Sequence, residues 1–293
     1  MLTGIVSYAQ QDAQYTQYMY NTINVNPAYA GSRNVLSVFG LYRTQWVGLE
    51  GAPQTSALSI NSPIGDTRLG VGLSVVSDKL GPTNENQISA DISYSIPTSE
   101  DFKLSFGIKG TANLFNLDKN KLTATNPNDI SFQNLSNKFT PNVGAGLYLH
   151  SEKTYFGVSV PSFLETIRYA DNSVSINKER LNLYVIGGHV FELSPDIKLK
   201  PAFLLKAIKG APLQADLSAN FMFVEKFVLG AAYRWSAAAS LMAGFQINES
   251  LYIGYGYDLE TTRLRNYNSG SHEIFLRYEF FKYQKRIVSP RFF

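Results

Sequence analysis

The segment Gln87-Ile88-Ser89-Ala90-Asp91-Ile92-Ser93-Tyr94-Ser95-Ile96 decides the fold. Ile88, Ala90, Ile92 and Tyr94 share one face of an extended chain. Gln87, Ser89, Asp91 and Ser93 share the other, because strand side chains alternate between faces. The pattern returns at 102–113, 213–223 and 273–280, and one such unit after another fills the chain from about Asn34 to Phe281. Each strand therefore has one apolar side. No helical or core-forming segment is visible to cover so much apolar surface, so the expected cover is lipid.

Composition agrees. Over 293 residues, charged residues make up 17% and aromatics 13%, with 18 Tyr and 19 Phe. Soluble domains carry roughly 25% charged residues. Mean hydropathy is slightly polar, and no run approaches the roughly 18 apolar residues of a spanning helix. A transmembrane barrel with a polar lumen and aromatic girdles has this profile. Cysteine is absent, which excludes disulfides and thiolate metal sites. A net charge of +3 with scattered Lys and Arg does not suit nucleic acid.

The spacing predicts about fourteen strands, at 34–47, 54–62, 67–77, 86–96, 102–115, 142–150, 153–160, 181–192, 197–207, 212–223, 226–236, 239–248, 250–259 and 271–283. Even-numbered strands end in tight polar turns, such as Pro63-Ile64-Gly65-Asp66, Ser151-Glu152 and Val224-Glu225. Odd-numbered strands lead into 78–85, 116–141, 161–180, 208–211 and 260–270. Short turns on one side and longer loops on the other mark an outer-membrane barrel with periplasmic termini. The fold class is thus an all-β transmembrane antiparallel barrel of the outer-membrane type. Closure is required because lipid-exposed backbone must pair within the protein.

Residues 1–9 read as the remnant of a secretory signal peptide, cleaved after Ser7-Tyr8-Ala9. The missing basic region suggests a start codon placed too far downstream. Residues 10–33 form a polar-aromatic periplasmic or lumenal segment, expected to be ordered against the barrel. The barrel itself takes 34–283, and 284–293 forms a periplasmic tail. Glycines inside strands, among them Gly70, Gly72, Gly107, Gly110, Gly144 and Gly146, permit curvature or the close approach of an internal segment.

Lys103, Lys109, Asp91, Gln214, Asp216, Asn220, Arg234, Asp258, Glu273, Arg277 and Glu279 alternate with apolar neighbours and should face inward. Both signs are interleaved, so a salt-bridged interior is the expected arrangement. Tyr42, Trp46, Tyr94, Tyr155, Tyr184, Tyr233, Trp235, Tyr255, Tyr257 and Tyr278 are expected to form the interfacial girdle. His150, His189 and His272 sit on separate strands without partners at metal-ligand spacing. Ser271-His272-Glu273 cannot converge as a triad, since consecutive strand residues point to opposite faces. No cofactor, metal or catalytic residue is expected.

Several short stretches carry a family resemblance: Asn26-Pro27-Ala28-Tyr29-Ala30-Gly31, Tyr42-Arg43-Thr44-Gln45-Trp46, Ala211-Pro212-Leu213-Gln214-Ala215-Asp216, Tyr255-Gly256-Tyr257-Asp258, Gly270-Ser271-His272-Glu273-Ile274 and Ser289-Pro290-Arg291. In this order they resemble the PorP/SprF family of type IX secretion system membrane proteins. The resemblance implies an outer-membrane location and work with an apparatus that moves folded cargo to the cell surface. It also implies partners: a secreted surface protein such as a gliding adhesin, together with secretion components or periplasmic lipoproteins. The candidate partner-binding residues are Asn26, Pro27, Ala28, Tyr29 and Gly31, and Ser289, Pro290, Arg291, Phe292 and Phe293 at the tail. The 116–141 and 161–180 loops are further candidates. The alternative function is a channel for small or hydrophobic solutes.

Overall fold

Alternation and tight turns leave each strand hydrogen-bonded to the next one in sequence. The computed structural model describes residues 18–118, 121, 135–164, 181–208 and 211–281. The strands are β1 Leu36–Thr44, β2 Gln54–Pro63, β3 Leu69–Leu80, β4 Thr83–Pro97, β5 Lys103–Leu117, β6 Leu135–His150, β7 Thr154–Val160, β8 Asn182–His189, β9 Phe191–Ser194, β10 Ile197–Ile208, β11 Gln214–Phe223, β12 Phe227–Arg234, β13 Ala238–Gln246, β14 Leu251–Glu260 and β15 Ser271–Phe280. Both β8 and β9 pair with β10, so they are two halves of one stave interrupted at Val190. Fourteen staves run antiparallel and close where β15 pairs with β1, from Leu36↔Phe280 to Thr44↔His272. Among the described residues no helix is long and apolar enough to cross a membrane. The strands do the crossing.

Burial is inverted relative to a soluble protein. Ile92, Ile108 and Leu241 are 59%, 69% and 68% exposed, while Asp91, Lys109 and Glu273 are almost fully buried. The apolar side faces outward, and charged residues face a closed interior. Of the aromatics, Tyr42, Tyr94, Tyr233, Trp235, Tyr255 and Tyr278 are on the outer surface. Tyr155 and Tyr184 are not: both are buried inside the lumen. They leave the girdle because the interior contains apolar partners for them.

The connections differ in two places from the expected pattern. The 78–85 stretch is not an extended loop. The β3–β4 ladder continues through Asp78↔Glu85 to Leu80↔Thr83, and the chain reverses at Gly81, whose φ of +53° suits a residue without a Cβ. Likewise β6 begins at Leu135 rather than 142. Polar strand tips that stand clear of lipid lose the apolar alternation while keeping their hydrogen bonds. The wall from β4 to β6, with strands of 15, 15 and 16 residues, therefore stands taller than β7 or β12, with 7 and 8.

The interior also holds a segment that can form a core. Tyr18, Met19, Tyr20, Ile23, Ala28, Tyr29 and Ala30 pack with inward-facing Phe39, Leu41, Tyr148, Ile186, Tyr252 and Phe275 in one buried cluster. The barrel thus has two apolar surfaces, a lipid-facing belt outside and a smaller core within. Residues 1–17, most of 119–134, 165–180 and 282–293 lie outside the described residues. The signal remnant, the tail with Ser289–Phe293 and the greater part of the two long loops fall there.

Candidate functional site in the barrel lumen

After Tyr18 the chain makes three short 3-10 turns, Tyr18–Tyr20, Thr22–Asn24 and Pro27–Tyr29, before entering β1. Short turns of this kind pack a polar backbone into a narrow space while satisfying its amides locally. The segment crosses the lumen near its short-turn end, and strands from around the whole barrel touch it. On one side the Tyr20 ring lies 5.6 Å from that of Tyr252 and 4.8 Å from that of Phe275. The Lys200 ammonium stands 5.5 Å from the same ring centroid. Burial pushes the Tyr18 and Tyr20 phenols up in pKa, so both rings enter the lumen neutral.

On the other side a single lateral row of the sheet forms the seat. Ser93 pairs with Gly107, Gly107 with Gly146, and Gly146 with Ser159. All four face inward, and each meets the segment in turn. Ser159 Oγ donates to the Val25 carbonyl at 2.6 Å. A Cβ added to Gly146 would stand 2.2 Å from Asn26 Oδ1, and one on Gly107 2.2 Å from the Ala28 nitrogen. Ser93 Oγ donates to the Ala30 carbonyl at 2.7 Å. In β3, a Cβ on Gly70 would reach the Ala30 oxygen and one on Gly72 the Ile23 side chain, at 2.2 and 2.3 Å. At Gly70 and Gly107 backbone lies against backbone, while Gly72 and Gly146 make room for the side chains of Ile23 and Asn26.

The stretch Asn26–Gly31 acquires a structural role at every position. Asn26 caps the third turn, accepting from the Ala28 amide at 3.0 Å, while its Nδ2 donates to the Leu147 carbonyl at 2.9 Å. Pro27 occupies the first turn position, where its missing amide costs nothing. Ala28 is small against Gly107, and Tyr29 meets Tyr148 edge-on at 5.6 Å. Gly31, at φ +71°, lies so close to Gly70 that an added Cβ would stand 2.8 Å from its Cα. The sequence candidates Asn26, Pro27, Ala28, Tyr29 and Gly31 are therefore buried together in the lumen. While the segment stays seated, it presents none of them outside the barrel.

Charges lock this arrangement. Arg33 pairs with Glu279 of β15 as the segment leaves the lumen, and Lys109 Nζ donates to the Ile23 carbonyl at 3.1 Å and lies 3.4 Å from Asp91. Nearer the long-loop end, Arg43 bridges Asp258 at 2.6 Å and Glu273 at 3.1 Å. This ties β1 across the closing seam to β15 and β14. Arg234 meets Asp216 at 2.9 Å. Of the predicted inward residues, Lys103 alone is exposed, at the first position of β5. Sequence reasoning missed Arg43, Lys200 and Lys206, because their strands mix apolar and charged residues on the inner face. At the other mouth the chain turns inward after β7. The Pro161 carbonyl crowds Gly144, and Asn142 clasps Leu164 through both amide atoms at 2.9 Å.

Ser105 Oγ and His150 Nε2 stand 3.5 Å apart, at the limit of a hydrogen bond, and Ser105 also shares its hydroxyl with Ser95 at 2.7 Å. Both residues are buried. His272 faces outward while Ser271 and Glu273 face inward, as strand alternation requires. Among the described residues no His, Asp and Glu side chains cluster as metal ligands.

Comparison with solved structures places the fold among outer-membrane barrels. The toluene transporter TodX of Pseudomonas putida is similar with a TM-score of 0.53 and 11% identity, over 88% of this chain and 93% of that one. A Pseudomonas aeruginosa FadL homologue gives 0.47 and 13%, over 91% and 94%, and the KdgM porin 0.39 and 8%, over 84% and 99%. At these identities the likeness concerns the fold alone. No curated protein matches the chain. The model of the type IX secretion system membrane protein PorP/SprF, however, matches residues 7–278. With a closed barrel suited to the outer membrane and a match over nearly its full length, the chain belongs to the PorP/SprF family of type IX secretion system membrane proteins.

Proposed function

We propose that this barrel binds secreted cell-surface proteins and helps export or anchor them, and that it neither conducts solutes nor catalyses a reaction. The observation that carries this reading is the occupied lumen. Residues 18–33 fill the short-turn end, fixed by hydrogen bonds to β2, β4, β5, β6 and β7. A conduit would need that space. What remains for work outside the barrel is its rims, with tight turns toward the periplasm, long loops outside and a chain end beyond each terminus of the wall. Such surfaces suit protein recognition, the expected task of a secretion-system component. Secretion components or periplasmic lipoproteins would meet the short-turn rim and the basic tail that begins after β15. Surface cargo such as an adhesin would meet the long loops.

The channel alternative draws on TodX and similar proteins, but that likeness is one of fold. A deletion strain separates the two functions. The proposal expects a particular cargo to disappear from the cell surface while uptake of small polar and hydrophobic solutes stays unchanged. Full cargo display in the deletion strain would refute it. Affinity purification from native membranes should recover an adhesin, a lipoprotein or a translocon subunit with the barrel.

A further inference from the structure

The seat of the lumenal segment has a second side. On the outer surface, a groove of about 500 Å³ runs over the same lateral row, its floor formed by Ser93, Gly107, Gly146 and Ser159. Its two banks are the neighbouring outward rows. One carries Ile92, Ile108, Ala145 and Val160, the other Tyr94, Phe106, Leu147 and Val158. The small side chain of Ala145, between Ile108 and Val160, leaves a gap in the first bank. Spanning β4 to β7, the groove crosses three inter-strand steps, roughly 14 Å at ordinary strand spacing.

Its depth fixes its surroundings. Ser93, Gly107 and Gly146 each lie four residues from the short-turn end of their strand. At about 3.3 Å per residue and a tilt near 40°, that is on the order of 10 Å above the periplasmic turns. The apolar belt of such barrels is about 25 Å tall, so the groove lies within it, toward the inner leaflet. The walls are apolar, and no charged residue lines it. What faces a groove at this depth is the hydrocarbon of the bilayer, continuous with the lipid belt on either side.

We propose that this groove is a specific binding site for one acyl chain of an inner-leaflet phospholipid, laid across β4–β7 on the outer side of the row that seats the lumenal segment. This inference rests on the barrel's place in the outer membrane and not on its proposed partners. Elsewhere the belt presents exposed Leu, Ile, Phe and Tyr side chains interspersed with smaller ones such as Ala231 and Ala243. Here the chain enters a trough and contacts side chains on both banks, a gain in dispersion contact that a convex surface does not provide.

The test is photocrosslinking in cells fed a fatty acid that carries a diazirine, with adducts on the purified full-length barrel mapped by mass spectrometry. Adducts of phospholipid mass are expected on β4–β7 peptides several-fold above those on β12–β13, where Leu229 and Leu241 are just as open to lipid. Ala145→Phe fills the gap in the bank from the outer side. It is expected to reduce the β4–β7 adducts several-fold and leave those on β12–β13 unchanged. Equal labelling around the barrel would overturn the site without any variant. Adducts that persist in Ala145→Phe, or adducts of protein size from the acyl anchor of a lipoprotein, would overturn it as well.

Discussion

Replacing Arg43 by Met is expected to destabilise the barrel by about 3–5 kcal/mol, the usual result of removing one partner from a buried ion pair. Arg43 lies between Asp258 and Glu273 and pairs with both, and all three side chains are at most 4% exposed. Without it two carboxylates would share a water-poor interior, and their mutual repulsion adds to the desolvation of each. The effect is concentrated at the seam, because Arg43 faces Glu273 across the β1–β15 ladder. Urea unfolding of the barrel reconstituted in vesicles measures it. A triple variant, Arg43→Met with Asp258→Asn and Glu273→Gln, removes the charges together and should recover most of the loss. An Arg43→Met barrel that unfolds at the native urea concentration would contradict the assignment.

Gly107→Val is expected to unseat the lumenal segment. A Cβ at this position would stand 2.2 Å from the Ala28 nitrogen, 2.4 Å from the Pro27 carbonyl carbon and 2.5 Å from the Ala28 Cα. Each of these is backbone, so no rotamer change relieves the clash. Overpacking in a core typically costs about 1–3 kcal/mol, and a rigid backbone neighbour puts this case at the upper end. The segment can leave while the wall stays whole, and it is the part expected to move. Gly110→Val three residues on is the control, since its Cβ would meet nothing within 4 Å. The chain has no cysteine, so a single Ala28→Cys reports seating through a membrane-impermeant maleimide. It should stay unlabelled alone and with Gly110→Val, and become labelled with Gly107→Val.

The barrel was legible in the sequence because lipid imposes a period of two on every strand that crosses it. Each of the fourteen staves sits where alternation places a strand. The legibility fails where lipid is absent. The tips of β3, β4 and β6 extend past the membrane on polar residues, and a stretch such as Asp78-Lys79-Leu80-Gly81-Pro82 reads as a loop even though it is strand and turn. It fails again inside, where Phe39, Leu41, Tyr155, Tyr184 and Phe275 face inward toward the lumenal segment. Alternation alone assigns an apolar residue to lipid and cannot distinguish a second apolar partner.

The lumenal site was half legible. Strand glycines at 70, 72, 107 and 146 allowed either curvature or the close approach of an internal segment, and the polar-aromatic composition of 10–33 signalled an ordered segment. What joins them is not local. The row Ser93–Gly107–Gly146–Ser159 spans four strands, and only the register of the closed sheet brings it opposite Val25–Ala30. A serine among many strand serines carries no mark of its own. The same non-local register places Ala145 between two bulkier residues and opens the outer groove.

A barrel that binds cargo without conducting solutes requires a lumen occupied by its own chain. Its most direct test is the conductance of the purified full-length protein in a planar lipid bilayer. The expected result is insertion without steady ionic current, with current appearing once Gly107→Val unseats residues 18–33. A steady open-channel current from the unaltered protein would contradict a plugged lumen and return the barrel to the class of solute channels.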